Sequence, residues 1–184
     1  MPTKIKSKPG LRKAFSASPK ELQDYFEHIP KLLDDFPMHV CLAYVFSRLE
    51  LGQNMALYCG AVRIHKVNAE VASNAVGTQH LTRKNFVSLY KTVFDVDIPT
   101  AAHADLKSAE TTRDMVMHGK KPTDGKIRNA IARVLEYAEE INKQLNAQHG
   151  LKPFGDLRGF AGKSKKLDKR TSRFLLKGMG FEIS

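Results

Sequence analysis

Tryptophan is absent from the 184 residues, and cysteine occurs only at Cys41 and Cys59. Neither belongs to a CxxC pair, which excludes a disulfide framework and a thiol redox motif. Both are read as core residues of a protein in a reducing compartment, and the cytoplasm is the expected location. No apolar run approaches the ~20 residues of a membrane span, so no membrane association is expected. No apolar core follows the basic N-terminal residues, so a secretory signal is not expected. There is no HExxH and no Cys/His cluster at zinc spacing, and no metal or other cofactor is expected. The "GKS" at 162–164 fails as a phosphate loop, because the pattern needs glycine at 157 and Leu157 stands there.

Acidic charge is missing from the first 20 residues, which hold six basic ones. Residues 151–184 hold nine basic and three acidic, whereas 21–150 hold 15 and 16. A nearly neutral body therefore carries two cationic ends. Such ends suit a polyanion, and nucleic acid is the commonest one. In the tail, Lys165, Lys166, Lys169, Arg170 and Arg173 are the candidate phosphate contacts.

Strand alternation and hairpin signals are lacking, whereas helical periods recur. Residues 1–17 show no apolar period and read as a flexible basic arm. Ser18-Pro19-Lys20-Glu21 has the form of a capping box, opening a helix that stops before Pro30. Val40, Tyr44, Leu51, Met55, Tyr58, Val62, Val67 and Val71 mark a helical stretch over 37–74, which Gly52 or Gly60 could bend or split. Thr82 is placed to cap a helix ending near Phe94, and Thr100 one ending at His118. Residues 126–148 carry the clean stripe Ile127, Ile131, Val134, Ala138, Ile141 and Leu145. The expected fold is an all-α bundle over 18–148, followed by a basic tail, 149–184, with a short helix over 168–177. The tail's Phe154, Leu157, Phe160, Phe174, Leu175, Leu176 and Phe181 are too many for a disordered segment. They pack on the body or on a second copy.

One stretch departs from this pattern. In "TTRDMVMHGKK", 111–121, Arg113 falls on the apolar line of Ala102, Leu106, Ala109 and Val116. A guanidinium there needs a partner or a task. His118 follows at the helix end, where the macrodipole favours a cation, and Gly119 ends the helix. Asp114 lies four residues before His118, on the same face, where it is placed to hold the imidazole in one tautomer. Lys120, Lys121, Lys126 and Arg128 add positive charge at this end.

Arg113-Asp114-Met115-Val116-Met117-His118, with its four-residue spacer and following glycine, resembles the RX4–6H motif of the HEPN superfamily. The order of helices resembles that family too, over about residues 37–148. The resemblance implies an all-α domain and a metal-independent endoribonuclease, active as a homodimer with the two motifs facing. It also implies a toxin, antiviral or stress role, with RNA as substrate and an antitoxin or other protein as a further partner. By that resemblance Arg113 and His118 are catalytic. Cleavage through the 2′-hydroxyl needs a base, an acid and a cation near the phosphorane. Histidine and arginine suit these roles, and one histidine per chain makes a two-fold dimer the natural source of the second. The alternative expectation is a non-catalytic nucleic-acid- or partner-binding module on the same scaffold.

Overall fold

The structure is a computed structural model that describes residues 5–79, 81–157 and 165–183. Phe160, His80 and the Gly162–Ser164 segment lie outside the described residues. The described residues are all-α, with nine helices and no strand. They are α1 (Lys8–Ser16), α2 (Lys20–Tyr25), α3 (Ile29–Asp35), α4 (Met38–Arg63), α5 (Ala69–Thr78), α6 (Arg83–Phe94), α7 (Thr100–Met117), α8 (Asp124–His149) and α9 (Lys169–Gly178).

The α8 stripe is buried at all six expected positions. Thr123 caps this helix by accepting from the Lys126 N–H, and Thr82 caps α6 by accepting from the Asn85 N–H. α7 folds back on α8 as a helical hairpin, the most extensive contact between the described helices. α4 runs in the same direction as α8: Gln53 Nε2 donates to the Tyr137 hydroxyl at 3.2 Å, and further along both helices Arg63 lies against Gly150. α4 is therefore antiparallel to α7.

α4 is apolar almost all round, the property of a central helix. Its buried positions include Cys41, Leu42, Val45, Phe46, Leu49, Ala56, Leu57, Cys59 and Val62. The stripe through Val40, Tyr44, Leu51, Met55 and Tyr58 is half-buried or, at Leu51, exposed. The helical stretch over 37–74 divides at residues 64–68, not at a glycine. Lys66 takes a positive φ of 58°, and Asn68 caps α5. The two glycines admit aromatic neighbours: a β-carbon at Gly52 would overlap the Phe154 ring, and one at Gly60 would overlap Val93 and Phe94.

Two expectations for the N-terminal part are corrected. Residues 8–16 form α1, capped by Ser7, with Leu11 fully buried and Phe15 buried. This segment is a docked helix rather than a free arm over its described part. Leu11 and Phe15 stand one turn apart and reach the core, outweighing a charge pattern that reads as disorder. Ser18 does not cap α2: its hydroxyl donates to the Ala14 carbonyl, and Glu21 accepts from Lys152 at 2.6 Å. α2 ends at Tyr25, before Pro30 as expected, and Pro30 sits in the first turn of α3, where its missing N–H costs nothing. The tail packs on its own body through Phe154, Leu176 and Phe181, while Phe174 points outward.

Burial pushes the Cys41 and Cys59 thiols up to about 12. Neither should react with a thiol reagent at about pH 8 in the native state, and both should on denaturation. A colorimetric thiol titration with and without denaturant checks this.

His149 packs its ring against Phe94, centroids 5.7 Å apart, and its Nε2 is buried with no hydrogen-bond partner among the described residues. Desolvation, the largest cause, holds its pKa below the ordinary value, although the Phe94 backbone pulls it the other way. The unfolded chain therefore takes up this proton first. The contribution is complete above the unfolded pKa of about 6.5 and is lost as pH falls through the lowered native value. His149→Gln should reduce the loss of urea stability between about pH 7 and pH 5, relative to the native chain.

Candidate functional site

The last turn of α7 carries the motif, and its ending explains the glycine. Gly119 takes a φ of 72°, and its N–H donates to the Val116 carbonyl at 3.0 Å. The Lys120 N–H donates to the Met115 carbonyl at 2.8 Å. These two bonds are a Schellman ending, which needs a left-handed residue just after the cap. His118 is the cap residue and is exposed, with only its backbone engaged among the described residues.

Arg113 is not buried, although it lies on the apolar line of α7. Its side chain is 32% exposed. The last turn of α7 runs past the bundle's edge, leaving Val116 half-covered and Met117 69% exposed. The Arg113 stem follows the apolar line, and its guanidinium sits over the Phe46 ring, Cζ 5.0 Å from the centroid. Two carboxylates hold the head. Nε and Nη2 donate to Asp114 Oδ1 at 3.1 and 3.0 Å, and Nη1 donates to Glu50 Oε1 at 3.4 Å. A guanidinium has five N–H donors, so two stay free for a ligand.

This arrangement corrects the expected role of Asp114. Its carboxylate is turned to Arg113, and it meets His118 only through its carbonyl, which accepts the His118 backbone N–H at 3.0 Å. Asp114 positions the arginine rather than the imidazole. The guanidinium is a fork and offers two donors to one carboxylate oxygen, a stronger attraction than a helix-end imidazole provides.

The helix bearing these residues is fixed from one side by Arg83, which forms an ion pair with Glu110, one turn before Arg113. Glu110 is buried, and this pair ties the start of α6 to α7. A polar cavity of about 240 Å³ lies beside Glu50 and is lined by Gln53, Asn54, Gln79 and Leu81. Glu50, Phe46 and Arg83 are members of the site that sequence reasoning misses. They come from two other helices, and no local spacing links them to Arg113.

The candidate cations divide into two groups. Lys120, Lys121 and Lys126 are exposed around the α7–α8 turn, near the motif. Arg128 belongs to the same end but serves the scaffold: Nη2 donates to the Lys6 carbonyl at 3.0 Å. Lys165, Lys166, Lys169, Arg170 and Arg173 lie elsewhere, on and before α9, which packs against α5. Lys166 reaches the Val62 carbonyl, and Lys169 pairs with Glu70. Val62 and Phe46 are about 16 residues apart on α4, about 24 Å of helix rise. The structure therefore does not join the two groups into one site.

Among the described residues, no group of three or more His, Cys, Asp and Glu side chains is placed to hold a metal ion. None of the described helices is long and apolar enough to cross a membrane. Comparison with protein-family models, with curated proteins and with solved structures found no match.

Proposed function

We propose that the chain is a metal-independent endoribonuclease whose site is completed across a two-fold axis between copies. The carrying observation is the pairing of two groups on one helix end. Arg113 is held in one orientation with donors to spare, and His118 is exposed and unengaged through its ring, five residues away. The first group suits a phosphate, and the second a proton in transit.

In this reading the ribose 2′-hydroxyl attacks phosphorus. One imidazole takes its proton, and a second protonates the departing 5′-oxygen. The products are a 2′,3′-cyclic phosphate and a free 5′-hydroxyl. Attack in line needs base and acid on opposite sides of the phosphate, and each chain brings one histidine to this place. His118 of the partner subunit supplies the other. Exposed Leu51 and Met117 stand beside Glu50 and near His118, and they give the two copies apolar surface to share. Arg113 stabilises the phosphorane charge, and Asp114 and Glu50 set its direction.

A second reading is favoured by one observation. Two carboxylates flank a single guanidinium, so the immediate surroundings of Arg113 are net negative. A non-catalytic module that binds a protein partner through this patch would want that balance. Incubation of a labelled RNA pool with the protein in EDTA, with product ends identified and the mass in solution measured, separates the two. Cyclic phosphate ends from a dimer support the ribonuclease. Intact RNA, or cleavage by a monomer, overturns it.

A further inference from the structure

Three phenylalanines of the described tail have different fates. Phe154 and Phe181 are buried, at 0% and 4% exposure, whereas Phe174 is 81% exposed in the middle of a regular helix. Its neighbours on α9 are cations. At about 100° per residue, Arg170, Arg173, Phe174 and Lys177 fall within an arc of about 100°, and all four are exposed. The opposite side of α9 carries Ser172 and Leu176, both fully buried, and Ser172 accepts the Asn68 N–H. The helix is thus fixed to the body by one side and presents a ring among three positive charges on the other. Acidic groups nearby are few among the described residues: Glu70 pairs with Lys169 and also faces Arg173, and Asp168 caps the helix.

We infer that this face of α9 is a binding platform for single-stranded RNA, with Phe174 stacking on a base and Arg170, Arg173 and Lys177 holding the flanking phosphates. Exposed aromatics set in a cationic track are the recognition device for unpaired strands, because every base has a face to stack. A duplex keeps its bases stacked on each other and offers the ring nothing. An anionic membrane is a poor match, because it needs a broad apolar face. The leucines of α9 are turned to the protein, and one ring is left. The inference shares with the proposed function its substrate class, RNA. The platform is on α9, packed on α5, and the motif is on α7, so the platform's part is to anchor the strand and not to touch the scissile bond.

The test reads binding alone, in full-length His118→Ala protein that leaves the RNA intact. Fluorescence anisotropy with a labelled oligouridine is run beside a labelled RNA duplex, and sedimentation with phosphatidylserine vesicles beside both. Phe174→Ala should weaken oligouridine binding about tenfold, the size of one lost stacking contact, and leave the duplex affinity within twofold. Phe174→Tyr should keep the native affinity. Arg170→Ala and Arg173→Ala should weaken both RNAs and flatten the salt dependence. Circular dichroism checks that each variant folds, as expected for exposed side chains. Unchanged oligouridine affinity in Phe174→Ala, or binding to vesicles but not to oligouridine, overturns the inference. Loss of the cleavage reading alone, with these binding results intact, would leave it standing.

Discussion

His118→Ala is expected to lower the rate of RNA cleavage in EDTA at least about 100-fold, with folding and oligonucleotide binding preserved. General acid and base catalysis contribute about 10²–10⁴-fold, and one substitution removes both partners from a two-fold site. The fold should not respond, because the imidazole is exposed and its backbone, not its ring, closes the helix end. Arg113→Ala should be comparably damaging, and Arg113→Lys should not restore activity. Lysine lacks the planar fork, so it cannot keep paired donors on Asp114 while presenting a second pair to a phosphate. Asp114→Asn is the informative companion. Its carboxylate serves Arg113, so the variant should lose less than Arg113→Ala. Cleavage at the native rate by His118→Ala would remove the ribonuclease reading altogether.

The second large effect concerns stability. Phe154→Ala should destabilise the fold by about 3–5 kcal/mol, the usual cost of deleting a buried aromatic ring. Phe154 is fully buried and packs edge-on to Tyr25, centroids 5.6 Å apart. Its backbone is gripped at both ends by Asn142: the Phe154 N–H donates to Oδ1 at 2.9 Å, and Nδ2 donates to the Phe154 carbonyl at 3.0 Å. The ring occupies the notch at Gly52. Gly52→Ala should therefore be costly in the native chain and far milder alongside Phe154→Ala, because the two positions share one volume. Urea unfolding of the four proteins measures the cycle. Additive losses would mean that ring and notch are not coupled.

Phe154 also shows what the sequence made legible. The tail's apolar residues signalled that it packs somewhere, but nothing near Phe154 identifies Gly52 as its seat. The fold class and α8 were readable because one helix's period decides which of its own residues are buried. The break between α4 and α5 was not. Val67, inside the break, and Val71, beyond it, are both buried, so helical spacing runs on where the helix itself stops. The Arg113–His118 pair and its glycine ending were readable from local spacing alone. The partners of Arg113 were not, because Glu50 and Phe46 reach it only after α4 and α7 pack.

The N-terminal helix carries a further consequence, for synthesis on the ribosome. Ile5 donates its N–H to Asn129 at 2.8 Å, and α1 packs on α8. Ile5 thus waits for Asn129, made 124 positions later. At about 5–20 residues per second, the interval of 124 positions takes on the order of 10 s. During that time α1 can meet α3, through Arg12 with Asp34 and Lys8 with the Leu33 carbonyl, but it docks on α8 only once that helix has been made.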